Sequence, residues 1–109
     1  MSAVTPQRPV ILAIPDEPAD LRGRMLDRIA ADPVAGRAEV AGGVWLAGPL
    51  WNGPWGRELA VAGLDLDAFT AVVAAYDREL WLWLLGERTW AQAADGLAGR
   101  VRRRLPGQT

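Results

Sequence analysis

Residues 65–86 read DLDAFTAVVAAYDRELWLWLLG, and this stretch predicts a long helix. At about 100° per residue, its large apolar side chains share one broad face. That face consists of Phe69, Val72, Val73, Tyr76, Leu80, Trp83 and Leu84. Asp65 or Asp67 can cap the start of the helix, and Gly86 can end it. We therefore predict a helix over residues 67–85 whose first apolar face packs in the protein core.

The opposite side of the predicted 67–85 helix is also apolar, whereas a simple surface helix would be polar there. That side consists of Ala71, Ala74, Ala75, Arg78, Trp81, Leu82 and Leu85. Burial of each large apolar group would contribute about 1.5–3 kcal/mol, so a covering surface is expected. The alternatives are the chain's own Trp45–Trp55 segment or C-terminal helix, another protein, and a membrane surface, which the short run Leu80–Leu85 disfavours.

We predict that the covering surface belongs to a second copy of this chain or to another protein, because large exposed apolar patches usually mark interaction sites. The alanines on this side permit close approach between helices. The predicted interface residues are Trp81, Leu82, Leu85, Arg78, Ala74 and Ala75.

Further helices are predicted from apolar spacing and capping residues. One covers residues 18–31 and is capped by Asp16. Another covers residues 90–105 and is capped by Thr89. A short helical piece is predicted over residues 57–62.

Two other segments have the composition of strands. Val10–Ile14 is predicted to be a short buried strand, and Glu39–Leu46 a weak strand bent at its glycines. The expected fold class is therefore α-rich α+β, with three to four helices and at most a small two-stranded element. Residues 1–9 are polar and contain prolines, so we expect a flexible N-terminal arm before a single compact domain over residues 10–109.

The composition excludes most catalytic chemistry. The 109 residues include no cysteine, histidine or lysine, and the only serine is Ser2. The usual general base, the thiolate nucleophile and the usual zinc ligands are therefore absent. Paired carboxylates at Asp16-Glu17 and Asp65-Leu66-Asp67 fall where helix caps are expected, which favours a capping role. We predict a protein that is not an enzyme and that has no metal site and no cofactor.

A segment rich in glycine, proline and tryptophan precedes the long helix. Gly48–Gly56 contains three glycines, two prolines and two tryptophans, which predicts an ordered loop with a turn at Asn52-Gly53. The candidate residues for a ligand- or partner-binding loop are Trp45, Trp51, Asn52 and Trp55. Aromatic rings arranged this way can enclose a cationic or flat ligand. The alternative is that the rings pack against the core.

Positive charge is concentrated at the C-terminal end of the chain. Residues 99–109 contain Arg100, Arg102, Arg103 and Arg104 and no acidic residue, whereas the whole chain has a net charge of −1. One interpretation is that these arginines complement the helix dipole and pair with acidic residues such as Glu87 or Asp95. The other is that they bind a polyanion such as nucleic acid, with weak and salt-sensitive affinity.

The stretch Thr89-Trp90-Ala91-Gln92-Ala93-Ala94-Asp95-Gly96-Leu97 resembles the first helix of bacterial helix-turn-helix motifs. In that family a turn and a recognition helix follow. Residues 98–105 are too short to supply both, so the resemblance does not assign the chain to the family.

The expected location is cytoplasmic. The apolar run Val10–Ile14 is shorter than the roughly 7–15 residues of a secretory signal, and no stretch approaches the ~20 apolar residues of a membrane span. The excess of alanine, glycine, arginine and proline is typical of a bacterium with high-GC DNA.

Non-catalytic protein–protein interaction or assembly is the function that the sequence predicts, with a homodimer formed through the second apolar side of the 67–85 helix. The alternative is a small regulator that binds nucleic acid or another polyanion through the arginine-rich C-terminal helix. A small-ligand module built on the tryptophan segment is a third hypothesis. A membrane partner is not expected.

Overall fold

The computed structural model describes residues 12–41 and 43–105, and these ranges contain seven helices and no strand. The helices are α1 (Ala19–Ala31), α2 (Pro33–Ala41), α3 (Val44–Trp51), α4 (Pro54–Val61), α5 (Leu66–Ala75), α6 (Asp77–Leu84) and α7 (Trp90–Arg104). The prediction of a mainly helical fold is confirmed. The prediction of three to four helices is wrong, because α2 and α3 form where a strand and a loop were predicted and because the predicted 67–85 helix is divided at Tyr76.

Residues 12–18, called here the N-terminal strap, are non-helical and lie against three helices. Three indole N–H groups donate hydrogen bonds to the strap. Trp55 donates to the Ala13 carbonyl at 2.9 Å, Trp90 to the Pro15 carbonyl at 2.7 Å, and Trp83 to the Glu17 carboxylate at 2.8 Å. Because the three tryptophans belong to α4, α7 and α6, the strap ties these helices together.

The strand predicted over Val10–Ile14 is not formed by its described residues, since residues 12–14 belong to the strap and residues 10 and 11 lie outside the described ranges. The strap satisfies its carbonyl groups with indole donors instead of a neighbouring strand. Leu12 is nevertheless buried, as the apolar composition predicts.

Helices α1 and α2 form a tightly packed hairpin. Asp32 ends α1, and its side chain accepts a hydrogen bond from the backbone N–H of Ala35 at the start of α2. At Gly36 an added Cβ would lie 2.5 Å from the Arg28 carbonyl oxygen, so only glycine permits this approach. Arg28 also pairs with Glu39 across the hairpin at 2.6 Å.

The strand predicted over Glu39–Leu46 is wrong, because this stretch contains the end of α2 and the beginning of α3. Gly43 lies between them with φ +80°, a left-handed conformation that favours glycine. An added Cβ at Gly43 would also lie 3.0 Å from the backbone nitrogen of Ala74, which brings the start of α3 directly against α5. Each helical piece is too short for its periodicity to stand out in the sequence.

The ordered loop predicted over Gly48–Gly56 is also wrong in its larger part. The stretch contains the last turn of α3 and the first turn of α4, joined by the predicted turn at Asn52-Gly53. Pro54 is the first residue of α4, a position where its fixed φ and missing N–H are favourable. The short helical piece predicted over residues 57–62 is the second half of α4.

The helix predicted over residues 67–85 is divided at Tyr76 into α5 and α6. The backbone N–H of Tyr76 contacts the carbonyls of both Val72 and Val73, at 3.0 and 3.1 Å, which marks a local tightening of the helix. The predicted core face is buried along its whole length except at Tyr76, which is half-buried. The division directs the Tyr76 ring onto α7 beside Gly96.

The predicted caps are confirmed for two helices and wrong for one. Asp65 accepts from the Ala68 N–H at the start of α5, and Thr89 forms a capping box with Gln92 at the start of α7. The predicted helix at residues 18–31 is confirmed as α1, but its cap is Pro18 and the Asp16 side chain makes no cap bond.

The core is built around two aromatic clusters. Phe69 contacts Trp51 and Trp55, with ring centroids 5.7 and 6.2 Å apart. Trp83 contacts Trp90 at 5.0 Å. Three of these rings, Trp55, Trp83 and Trp90, therefore both pack the core and supply the N–H groups that hold the strap.

Substitution of Glu17 tests the strap. Trp83 is 1% exposed, so Glu17→Ala leaves a buried N–H without its partner and should lower the free energy of unfolding by about 1–3 kcal/mol. Glu17→Gln keeps an oxygen acceptor and removes the same negative charge, so its loss should be less than half as large. Guanidinium unfolding followed by circular dichroism measures both. Equal losses in the two variants would show that the hydrogen bond contributes nothing.

Two glycines of α7 provide a matched test of the α5–α7 contact. An added Cβ at Gly96 would overlap the Tyr76 hydroxyl, whereas at Gly99 its nearest neighbour is an arginine tip 3.7 Å away. Gly96→Ala should therefore destabilise by about 1–3 kcal/mol, and Gly99→Ala should stabilise by up to about 1 kcal/mol through helix propensity. Thermal unfolding measures the difference. Adding Tyr76→Phe should restore part of the Gly96→Ala loss, and no restoration would contradict this account.

Candidate functional site

The second apolar side of the predicted 67–85 helix is partly covered by the chain itself. Ala74 packs against Gly43 at the start of α3. Trp81 is half-buried, and the Arg37 guanidinium of α2 lies 5.2 Å from its ring centroid. Ala74 and Trp81 are therefore covered by Gly43, at the start of α3, and by Arg37 of α2.

The other half of this side faces outward and is called here the outer stripe: Ala75, Arg78, Leu82 and Leu85. Ala75, Arg78 and Leu85 are exposed and Leu82 is half-buried. Leu85 is 59% exposed, which is high for a leucine beside a packed core. The spacing of three, four and three residues places the stripe along one side of α5 and α6.

Asp77 lies under the covered half of this side. Its carboxylate accepts a hydrogen bond from the Trp81 indole N–H at 2.9 Å. Burial raises the pKa of Asp77 above its ordinary value, and the Trp81 hydrogen bond opposes this increase. A raised carboxyl pKa stabilises the folded protein at pH values below the unfolded pKa, and this stabilisation is lost as the pH rises through the folded pKa.

Replacing Trp81 should move the pKa of Asp77 further upward. Trp81→Phe removes the hydrogen bond that favours the charged carboxylate, while the aromatic ring still limits solvent access. Carboxyl ¹³C NMR titration measures the change. Trp51→Phe, which alters a ring packed on Phe69, serves as the control and should leave the Asp77 pKa unchanged. An unchanged or lowered pKa in Trp81→Phe would contradict this assignment of causes.

The predicted tryptophan loop does not form an open cage. Trp55 is 1% exposed and its N–H is bonded to the strap, so a ligand in solvent does not reach it. Trp45 and Trp51 are half-buried and pack against the core, and Asn52 is exposed at the end of α3. Trp45, Trp51 and Trp55 therefore pack in or against the core rather than surround an open space.

The four C-terminal arginines do not share one environment. Arg100 lies over the Tyr76 ring at 5.3 Å, and the Nε of Arg103 donates to the Gly99 carbonyl at 3.3 Å. Arg100, Arg103 and Arg104 are exposed, whereas Arg102 is half-buried. The ion pairs within residues 12–41 and 43–105 are Arg28–Glu39 and Arg88–Glu79, so the expected pairing of these arginines with Glu87 or Asp95 is not formed.

Three of these arginines form a wall of a groove between α5 and α7. The groove consists of two adjoining hollows of about 290 and 140 Å³, and Val72 and Arg104 line both. Its floor and one edge are apolar and small: Leu64, Ala68, Ala71, Val72 and Ala75. Its other edge is formed by Arg100, Arg103 and Arg104, and no carboxylate lines it. We call this feature the arginine groove.

Residues of both edges of this groove stand out in the sequence, but in two separate segments. Ala71 and Ala75 belong to the second apolar side, and the arginines to the C-terminal patch. Leu64, Ala68 and Val72 were not predicted as site residues. The alanines at 68, 71 and 75 share one helical face, as do the arginines at 100, 103 and 104. This spacing was visible, but the packing of α5 against α7 was not.

The described part of the chain offers no metal site of three or more acidic, cysteine or histidine ligands. None of the described helices is both long and apolar enough to cross a membrane. Comparisons with protein families, with characterised proteins and with solved structures found no match to this chain. The outer stripe and the arginine groove are therefore the two candidate functional surfaces among the described residues.

Proposed function

We propose that this protein is a non-catalytic assembly module that forms a homodimer through the outer stripe. The observation that carries the proposal is the exposed Leu85, which continues an apolar edge formed with Leu82 and Ala75. Burial of a leucine at a contact contributes about 1.5–3 kcal/mol, and a leucine that stays in water does not gain this free energy. Ala75 allows a second helix to approach closely at the other end of the stripe.

The proposed interface is smaller than the one expected from the sequence. Trp81 and Ala74 are used for packing within the chain, which leaves Ala75, Arg78, Leu82 and Leu85 for a partner. Stable interfaces bury about 800 Å² on each partner. A stripe of four residues provides less contact area than that, so we expect a weak dimer. Arg78 lies within the stripe, and its long side chain can extend to the rim while its methylene groups cover apolar surface.

Sedimentation equilibrium tests the dimer. The wild-type protein should change from monomer to dimer as its concentration rises into the high micromolar range. Leu85→Glu should raise the dissociation constant at least ten-fold, because it replaces a buried apolar contact with a charge. Val61→Glu is the matched control, since Val61 is 85% exposed on α4 and lies outside the stripe.

The control variant should dimerise as the wild type does, and circular dichroism should show the same helix content in all three proteins. A wild-type protein that remains monomeric at millimolar concentration would exclude the dimer. Equal weakening by Leu85→Glu and Val61→Glu would exclude the outer stripe as its interface.

A further inference from the structure

We infer that the arginine groove is a second binding site, which accepts an acidic, amphipathic helical segment of another protein. The site is separate from the homodimer interface in all residues except Ala75, which lies at the boundary of the two. The inference rests on the charge of the groove, on its apolar floor and on its length.

Charge is the first support. Arg100, Arg103 and Arg104 line one edge, none of them takes part in an ion pair within the described ranges, and the lining residues include no carboxylate. Guanidinium groups favour carboxylates because their planar N–H groups match the two oxygens. An occupant with carboxylates along one edge would therefore form ion pairs with the arginines of the groove.

The floor gives the second support. Ala68, Ala71 and Ala75 lie at spacings of three and four residues, so the wall of α5 is smooth and close to its own backbone. Leu64 and Val72 are exposed only slightly at the bottom, where they provide apolar contact. A helix that presents small apolar side chains on one face can pack on such a floor, because the α5 side chains that line it are three alanines and the nearly buried Val72.

The dimensions fit a short helix. The groove follows α5 from Ala68 to Ala75, and these residues extend for about 12 Å at 1.5 Å per residue. An occupant of about ten to fourteen residues would cover that length, with its carboxylates spaced three or four residues apart opposite the arginines.

Nucleic acid fits the groove less well than an acidic helix. The chain as a whole carries a net charge of −1, so the surfaces that would lie near a long polyanion are not basic. A sugar–phosphate backbone would also leave the apolar floor without a matching surface. A polyanion would use the arginines alone, and Arg102 as well as its neighbours.

Fluorescence anisotropy with synthetic probes tests the inference. The first probe is a labelled fourteen-residue helical peptide of glutamate, alanine and leucine, with its apolar residues on one face and its glutamates along the edges. The second probe has the same composition in scrambled order, and the third is a single-stranded DNA of fourteen nucleotides. The amphipathic peptide should bind at least ten-fold more tightly than either of the others.

Matched variants locate the contact. Arg103→Gln and Arg104→Gln should each weaken binding of the amphipathic peptide about five-fold or more, whereas Arg102→Gln should change it less than two-fold, because Arg102 does not line the groove. Ala71→Trp fills the groove without changing its charge and should abolish binding. Circular dichroism and thermal unfolding should confirm that each variant is folded.

Several outcomes would overturn the inference. Equal binding of the scrambled peptide would show that charge alone is recognised. Equal or tighter binding of the DNA, with Arg102→Gln as damaging as Arg103→Gln, would assign the arginines to polyanion binding. Absence of peptide binding at about 0.2 mM, a concentration at which a weak specific contact is detectable, would remove the site. Repeating the series in the Leu85→Glu background keeps this result independent of the homodimer.

Discussion

The hydrogen bonds from three tryptophans to the N-terminal strap are the interaction on which the rest of the structure depends. Trp55, Trp83 and Trp90 come from different helices, and each pairs its indole N–H with a separate acceptor of the strap. An indole buried without an acceptor would cost free energy, so the strap stabilises the packing of these rings in the core. The strap also adds the Leu12 side chain to the core. The three tryptophans and the strap therefore provide both apolar packing and hydrogen-bond partners for the buried indole N–H groups.

Local signals in the sequence predicted local structure well. Thr89 and Asp65 cap their helices through bonds to backbone N–H groups three residues ahead, which depend on little beyond the neighbouring chain. The buried face of α5 and α6 was also predictable, since its periodicity continues through the division at Tyr76. The predicted loop over Gly48–Gly56 did not take into account that a proline after a turn can begin a helix, as Pro54 begins α4.

Features that depend on distant contacts could not be predicted in this way. Gly43 looks like a strand bend until Ala74 is seen against it, and the cover of Trp81 by Arg37 joins residues forty-four positions apart. The strap resembles a strand because both are extended apolar segments, and only its indole partners distinguish them. The arginine groove likewise combines two faces that were each recognised separately. Its existence follows from the packing of α5 on α7, which no single stretch of sequence encodes.

The small side chains of α5 connect the two proposed surfaces. On one side of α5, Ala74 allows α3 to approach closely. On the other side, the small Ala71 and Ala75 side chains leave the arginine groove open. A larger residue at position 71 or 75 would close the groove. Because Ala75 also begins the outer stripe, an occupant that ends before this residue leaves the dimer interface free. A longer occupant would contact the partner copy, and the two binding events would then be thermodynamically coupled, each changing the affinity of the other by the same factor.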